Sequence, residues 1–193
     1  MYVYVGNDPV NAVDPTGTYG RLKGWKDKDW KKFDTAQKEA AADMSEEAGN
    51  LRRSAEQLAD GDVDSEGYSA SELNSMADRL DAGVSALMDD GSNGYWAKSG
   101  DSNDTGGDFG SAPVGGKSVT VNVTHPGFSS QSSTRWMAGH ESLHSAGLED
   151  QYGFNGYRAY KIGLLEQERL AFRRLMKSRR FKNPDHIMSR VYP

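Results

Sequence analysis

Apolar and polar positions alternate with two different periods along this chain. Residues 25–60 are rich in Ala, Glu, Lys, Gln and Leu and poor in breakers, which predicts a long, polar, amphipathic helix with Gly49 as the place where it would break. Residues 69–89 predict a second helix. Leu73, Met76, Leu80, Val84 and Leu87 recur at helical spacing, and Ser69 or Ser71 stands where a cap belongs. Together the two predict a helical hairpin. Residues 118–124 switch to a period of two, with Val119, Val121 and Val123 between polar residues, as in a half-buried or edge strand. A Ser-rich turn follows, then a helix from about Ser133 to Ala146, with Gly147 placed to end it. Residues 162–181 predict another helix, with Leu165, Phe172, Leu175 and Met176 on one side and many basic residues on the other.

Two stretches carry no such period. Residues 91–117 are dominated by Gly, Ser, Asp and Asn and predict a flexible linker, loop or lid. Asp101, Asp104 and Asp108 do not have the spacing of a calcium loop. Residues 1–20 open with the alternation Tyr2-Val3-Tyr4-Val5, a short strand, and continue into turn-forming Asn, Asp, Pro and Gly. They hold too little apolar material for a core of their own and read as the tail of something larger.

Composition narrows the chemistry. The chain has no cysteine, so thiolate ligands, disulfides and cysteine catalysis are excluded, and any metal must be held by His, Asp or Glu. The net charge of −5 argues against non-specific nucleic-acid binding, and the basic 162–181 face lacks interleaved aromatics. No apolar run has the length of a membrane span, and no signal-peptide apolar region is present.

The chemical signal is His140-Glu141-Ser142-Leu143-His144, within the helix that follows the strand. Positions i and i+4 share a helix face, so the two imidazoles can reach one ion. Neutral imidazole suits zinc, and catalytic zinc keeps three protein ligands and an open position. Glu141, beside the first ligand, can act as general base toward a water activated by the ion. Three residues after His144, Gly147 lets the helix stop and the chain turn back, which carries Asp150 toward the metal as third ligand. Glu149 and Asp185 compete for that role. His125, after the strand, is a candidate to line a cleft in which a substrate pairs with that strand.

This pattern resembles the zincin metallopeptidases. H-E-x-x-H-x-x-G-x-x-D is similar to the metzincin signature with Asp for its third His, and to the snapalysin-type and aspzincin peptidases. The resemblance implies Zn2+ held by His140, His144 and Asp150, with Tyr152 of Asp150-Gln151-Tyr152-Gly153 as oxyanion donor, the first choice among Tyr152, Tyr157 and Tyr160, which all follow closely. It also implies a Met-turn over Asn183–Ser189 that sets Met188 under the metal. His186, in the same segment, stands as a further oxyanion donor or alternative ligand.

A second resemblance covers about the first 17 residues. YVYVGNDPVNAVDPTG resembles the closing segment of the Rhs/YD-repeat core, the shell that encloses a variable C-terminal toxin. Pro9 to Gly17 supply its P-x-x-x-x-D-P-x-G element, with Thr18 where many members have a leucine and are cleaved. This implies a toxin payload delivered without a signal peptide by a route such as type VI secretion. It further implies action in the target-cell cytoplasm and an immunity protein in the producer.

The expectation is therefore an α+β fold: the end of an Rhs core over 1–18, a helical region over 19–90, a loop over 91–117 and a zincin-like catalytic core over 118–193. The expected activity is peptide-bond hydrolysis, on a protein or peptide substrate. Its rivals are a zinc hydrolase acting on another amide such as cell wall, and a non-enzymatic module that acts by binding its target.

Overall fold

A computed structural model describes residues 19–161, 163 and 165–193. The tyrosine-rich segment and the Pro9–Gly17 element lie outside them. The described chain is α+β. Its scaffold is a hairpin of two long helices, α1 (Asp27–Gln57) and α2 (Ala70–Leu87). Phe33, Ala36, Ala40, Met44, Ala48, Leu51 and Ala55 form the buried stripe of α1. Most of these side chains are alanine, so α2 can lie close against it. Gly49 does not break α1. A helical glycine costs about 1 kcal/mol against alanine, which the burial of Ala48 and Leu51 on either side offsets. The cap of α2 is Ser69. Its hydroxyl accepts from the Glu72 amide, and the Glu72 carboxylate accepts from the Ser69 amide at 2.9 Å, a reciprocal capping box.

A four-stranded sheet packs on this layer in the order β1 (Gly20–Arg21), β2 (Trp96–Gly100), β4 (Ser118–Asn122), β3 (Gly110–Ser111). The first three are parallel, and β3 runs antiparallel to β4. Thus β4, the strand expected from the sequence, is flanked on both sides, and the sheet edges are β1 and β3. Ala97, Val119 and Val121 face the core, and the Trp25 indole donates to the Ala97 carbonyl at 2.9 Å.

The stretch expected as a flexible loop holds β2, β3 and a short helix α3 (Ser102–Thr105). Its polar composition is turn chemistry. Asp101 caps α3, and Asp89 accepts from the amides of Gly91, Asn93 and Tyr95. The helix expected over 162–181 is instead two short ones, α5 (Glu166–Arg173) and α6 (Lys177–Arg180). Leu175 joins Ala159 and Ala171 in a small second core, while Leu165 and Met176 are exposed. The expected Met-turn is a helix, α7 (Pro184–Val191), because Asn183 caps it and Pro184 fits its first position.

The helix α4 (Gln131–Ser145) sits between these parts, packed on α1, α2, α7 and the sheet. Every residue from Met137 to Ser145 is buried. Gly83 marks the three-helix junction: a Cβ there would lie 2.7 Å from Met44 Cε, 2.9 Å from Ser142 Oγ and 3.2 Å from Leu143 Cδ2. Gly83→Val is therefore expected to destabilise the fold by about 2–3 kcal/mol through overpacking. A fall in thermal midpoint of roughly 5–10 °C, followed by circular dichroism, checks this; an unchanged midpoint would show a looser junction.

Candidate metal centre

The local sequence builds the centre from the end of α4. Gly147 adopts φ +91°, a conformation that side chains with a Cβ rarely take. The Leu148 amide donates to the Leu143 carbonyl at 3.0 Å and the Gly147 amide to the His144 carbonyl at 2.9 Å, a Schellman stop. Leu148 is then buried, and its own carbonyl takes the Nδ1 proton of His144 at 2.7 Å. The reversed chain delivers Asp150.

The orientation of both rings is fixed from behind. His140 Nδ1 donates to Asp185 Oδ1 at 2.7 Å, and His144 Nδ1 to Leu148. A carbonyl can only accept and a carboxylate does so here, so each neutral ring carries its lone pair on Nε2. Those two Nε2 atoms lie 3.0 Å apart. Asp150 Oδ1 lies 3.8 Å from the first and 3.5 Å from the second, and it is buried without a hydrogen-bond partner. When both rings are neutral, three lone pairs thus converge with no donor between them. The point equidistant from the three atoms is about 2.0 Å from each, the length of a zinc–nitrogen or zinc–oxygen bond. His140, His144 and Asp150 could hold a metal ion.

The electrostatics show that protons and an ion would compete for the two rings. Burial alone would lower His140, but Asp185, then Glu141 and Asp150, outweigh it and lift the ring to about 9. Burial and the neighbouring His140 push His144 down. Opposite shifts on two rings in contact mean that the pair takes up one proton in preference to two.

Glu141 stands beside the group. Burial raises its carboxyl to about 7, against the pull of His140 and a backbone hydrogen bond from Ala112. Its Oε2 is buried and unpartnered. Gly110 of β3 packs directly on it: a Cβ there would be 2.8 Å from both Glu141 Cγ and Met137 Sδ.

The other expected site residues divide. Asp185, a competitor for third ligand, instead orients His140 and accepts from the Lys161 amide. Glu149 is exposed and outside the group. His186 stacks on Phe172 at 3.9 Å and bonds the Phe172 carbonyl, so its ring is engaged away from the ligand atoms. Burial lowers it to about 4. His125 caps a 3-10 turn, accepting from the Gly127 amide, and stacks on Phe109. Tyr152 is 50 % exposed, with its hydroxyl against Arg158. The phenol that reaches the group is Tyr160, whose hydroxyl donates to Asp150 Oδ2 at 2.7 Å. Met188 lies buried under α4, and a Cβ on Gly139 would be 2.3 Å from its Cε. The sequence pointed to Met188, though on a turn. Arg158, Gly110 and Ala112 were not foreseen, and nothing in their spacing marks them.

No protein-family model, curated protein or solved structure matches this chain. The centre therefore stands on its own geometry, and two outcomes test it. Purified protein equilibrated with zinc should carry one ion per chain by elemental analysis, and His144→Ala should carry none. Asp185→Asn should weaken zinc affinity by about 10- to 100-fold without unfolding the chain, measured by competition with a chromophoric chelator; unchanged affinity would remove Asp185 from the centre.

Proposed function

We propose that this chain is a zinc-dependent metallopeptidase with a zincin-like core, in which His140, His144 and Asp150 hold the ion and Glu141 is the general base. The observation that carries the reading is the convergence of two imidazole Nε2 atoms and one unpartnered carboxylate oxygen beside a second buried carboxylate that has a free oxygen. Two imidazoles and one carboxylate, with no thiolate, suit zinc, and three protein ligands leave a position open for chemistry. Bound zinc would supply Lewis acidity, lowering the pKa of a coordinated water from about 15.7 toward about 7.

The chain's own residues do the rest. Glu141 Oε2, unpartnered and adjacent to the ligands, can take a proton from attacking water and return it to the leaving amine. Asp185 and Tyr160 are positioning residues: one holds the His140 ring, the other the Asp150 carboxylate. An extended peptide can add to the sheet at an edge. Because β4 is flanked by β2 and β3, that role falls to β3, whose Gly110 lies against Glu141.

The wider reading rests on residues 1–17 and their resemblance to the Rhs core. In it the chain is the toxin payload of such an effector, enclosed by the core shell before release. It is delivered into a competing cell by specialised secretion and held in check by an immunity protein. No helix among the described residues is long and apolar enough to cross a membrane.

Glu141→Gln separates chemistry from binding. It should retain one zinc per chain while losing hydrolysis of a denatured-protein substrate by at least about 100-fold, and it should relieve growth inhibition when the chain is expressed in a bacterial cytoplasm. Full toxicity in this variant would favour a module that acts by occupying its target. Toxicity lost with no protein cleavage by the wild type would favour another amide, such as cell wall.

A further inference from the structure

The segment after Asp150 brings a cation to the metal group that the hydrolytic reading leaves without a role. Residues 151–159 form a tight hairpin. Ala159 N donates to the Gln151 carbonyl at 2.7 Å, Gly153 N to the Tyr157 carbonyl at 2.9 Å, and Tyr152 and Arg158 face each other as an antiparallel bridge. The hairpin is pinned on α5 at Gly153, where a Cβ would lie 2.5 Å from that of Ala171. Its return strand ends at Tyr160, which bonds Asp150. Arg158 is thus held by a closed loop that starts and ends at a ligand.

Its guanidinium is only partly engaged. Nη1 donates to the Tyr160 hydroxyl at 2.9 Å, and Nε meets the Tyr152 hydroxyl at 3.4 Å. The same Nη1 is 3.8 Å from Asp150 Oδ2 and 3.9 Å from Asp108 Oδ2. Both carboxylate distances are beyond hydrogen-bond length, and the side chain is 44 % exposed. Exposed pairs at such distances contribute little, so shielding Asp150 is a weak account of this arginine. A planar fork with an open edge is what binds a carboxylate with two parallel hydrogen bonds. One residue of extended chain spans about 3.3–3.6 Å. Asp150 separates Arg158 from the two rings, with one oxygen 3.8 Å from Nη1 and the other 3.5 Å from His144 Nε2, so a carboxylate on Arg158 would lie within a few residues of an amide at the His140–His144 pair.

We propose that Arg158 is a specificity residue that reads a substrate carboxylate next to the scissile bond. This rests on the hydrolase reading above. The carboxylate has two chemical sources, the C-terminus of the substrate chain or an Asp or Glu side chain, and the first would make the enzyme trim chains from their ends.

The test reads binding, not turnover. Zinc-loaded Glu141→Gln protein is titrated against three fluorescein-labelled random hexapeptide pools. One ends in a free carboxylate and lacks Asp and Glu, one is amidated and contains them, and one is amidated and lacks them. One of the carboxylate-bearing pools should bind about tenfold or more tightly than the third, as expected of a charge-assisted hydrogen bond. Which pool wins identifies the source. The preference should disappear when Arg158→Gln is added, with zinc content unchanged. Equal binding of all pools, a preference that survives Arg158→Gln, or loss of zinc in that variant would each overturn the proposal. Because no cleavage is needed, this failure is distinct from failure of the hydrolase reading, which the Glu141→Gln activity comparison decides.

Discussion

The centre depends on where α4 stops. The left-handed turn at Gly147 ends the helix one turn after His140 has been followed by His144, and two consequences come from that single conformation. The Leu148 carbonyl is turned back onto His144 Nδ1, which leaves Nε2 as the only lone pair on that ring. The chain also reverses, so Asp150 returns over the helix face that it has just left. A residue with a Cβ at position 147 would resist this φ, and helix propagation past it would carry Asp150 away on a rising spiral. The 151–159 hairpin then closes the arrangement by bringing Tyr160 back to the free oxygen of Asp150.

Around that stop, the fold tolerates an unusual concentration of polar groups. His140, Glu141, Ser142, His144 and Ser145 are buried in succession, yet α4 packs against three other helices and the sheet. Most of the polar atoms are satisfied one by one: Ser142 bonds the Gly139 carbonyl, Ser145 accepts from Tyr19, and the two rings have Asp185 and Leu148. Asp150 Oδ1 and Glu141 Oε2 remain unsatisfied. A buried carboxylate oxygen without a donor costs about 1–3 kcal/mol or more. The scaffold that bears this cost lies elsewhere, in the alanine-lined contact of α1 with α2. Stability and chemistry are thus separated along the chain, with Gly83, Met44 and Leu143 at the junction between them.

This separation explains what could be read from the sequence. The two long helices were legible because their apolar residues follow the helical period, while the cap was narrowed only to Ser69 or Ser71, and the bond with Glu72 selects Ser69. The grouping of His140, His144 and Asp150 was legible because they belong to one continuous stretch with Gly147, where spacing alone sets geometry. Contacts between distant stretches were not legible. The Asp185–His140 bond joins residues from different helices, and no local pattern distinguishes an aspartate that will touch a metal from one that will touch its ligand. β2 was hidden because Ala97 is the one residue of Trp96–Gly100 that is fully buried, so its strand character comes from parallel neighbours on both sides. That Tyr160 and not Tyr152 bonds Asp150 was hidden for the same reason. Nearness in sequence favours Tyr152, but the hairpin turns it outward and returns Tyr160 to Asp150.

Asp150 itself is the point at which holding an ion and choosing a substrate would meet. One oxygen faces the two histidines, and the other takes the Tyr160 hydroxyl, with Arg158 at 3.8 Å. A carboxylate that gives charge to a metal has less to give to a guanidinium. Ion binding would therefore weaken further the slight hold of Asp150 on Arg158, an effect no larger than that exposed 3.8 Å pair allows. The converse also holds, since a guanidinium neutralised by another carboxylate withdraws less from Asp150. The two events would then favour each other through one side chain, with no movement of the backbone required. Such coupling fits a rigid hairpin whose two ends are fixed on the same residue, where charge can be redistributed without shifting the ligands.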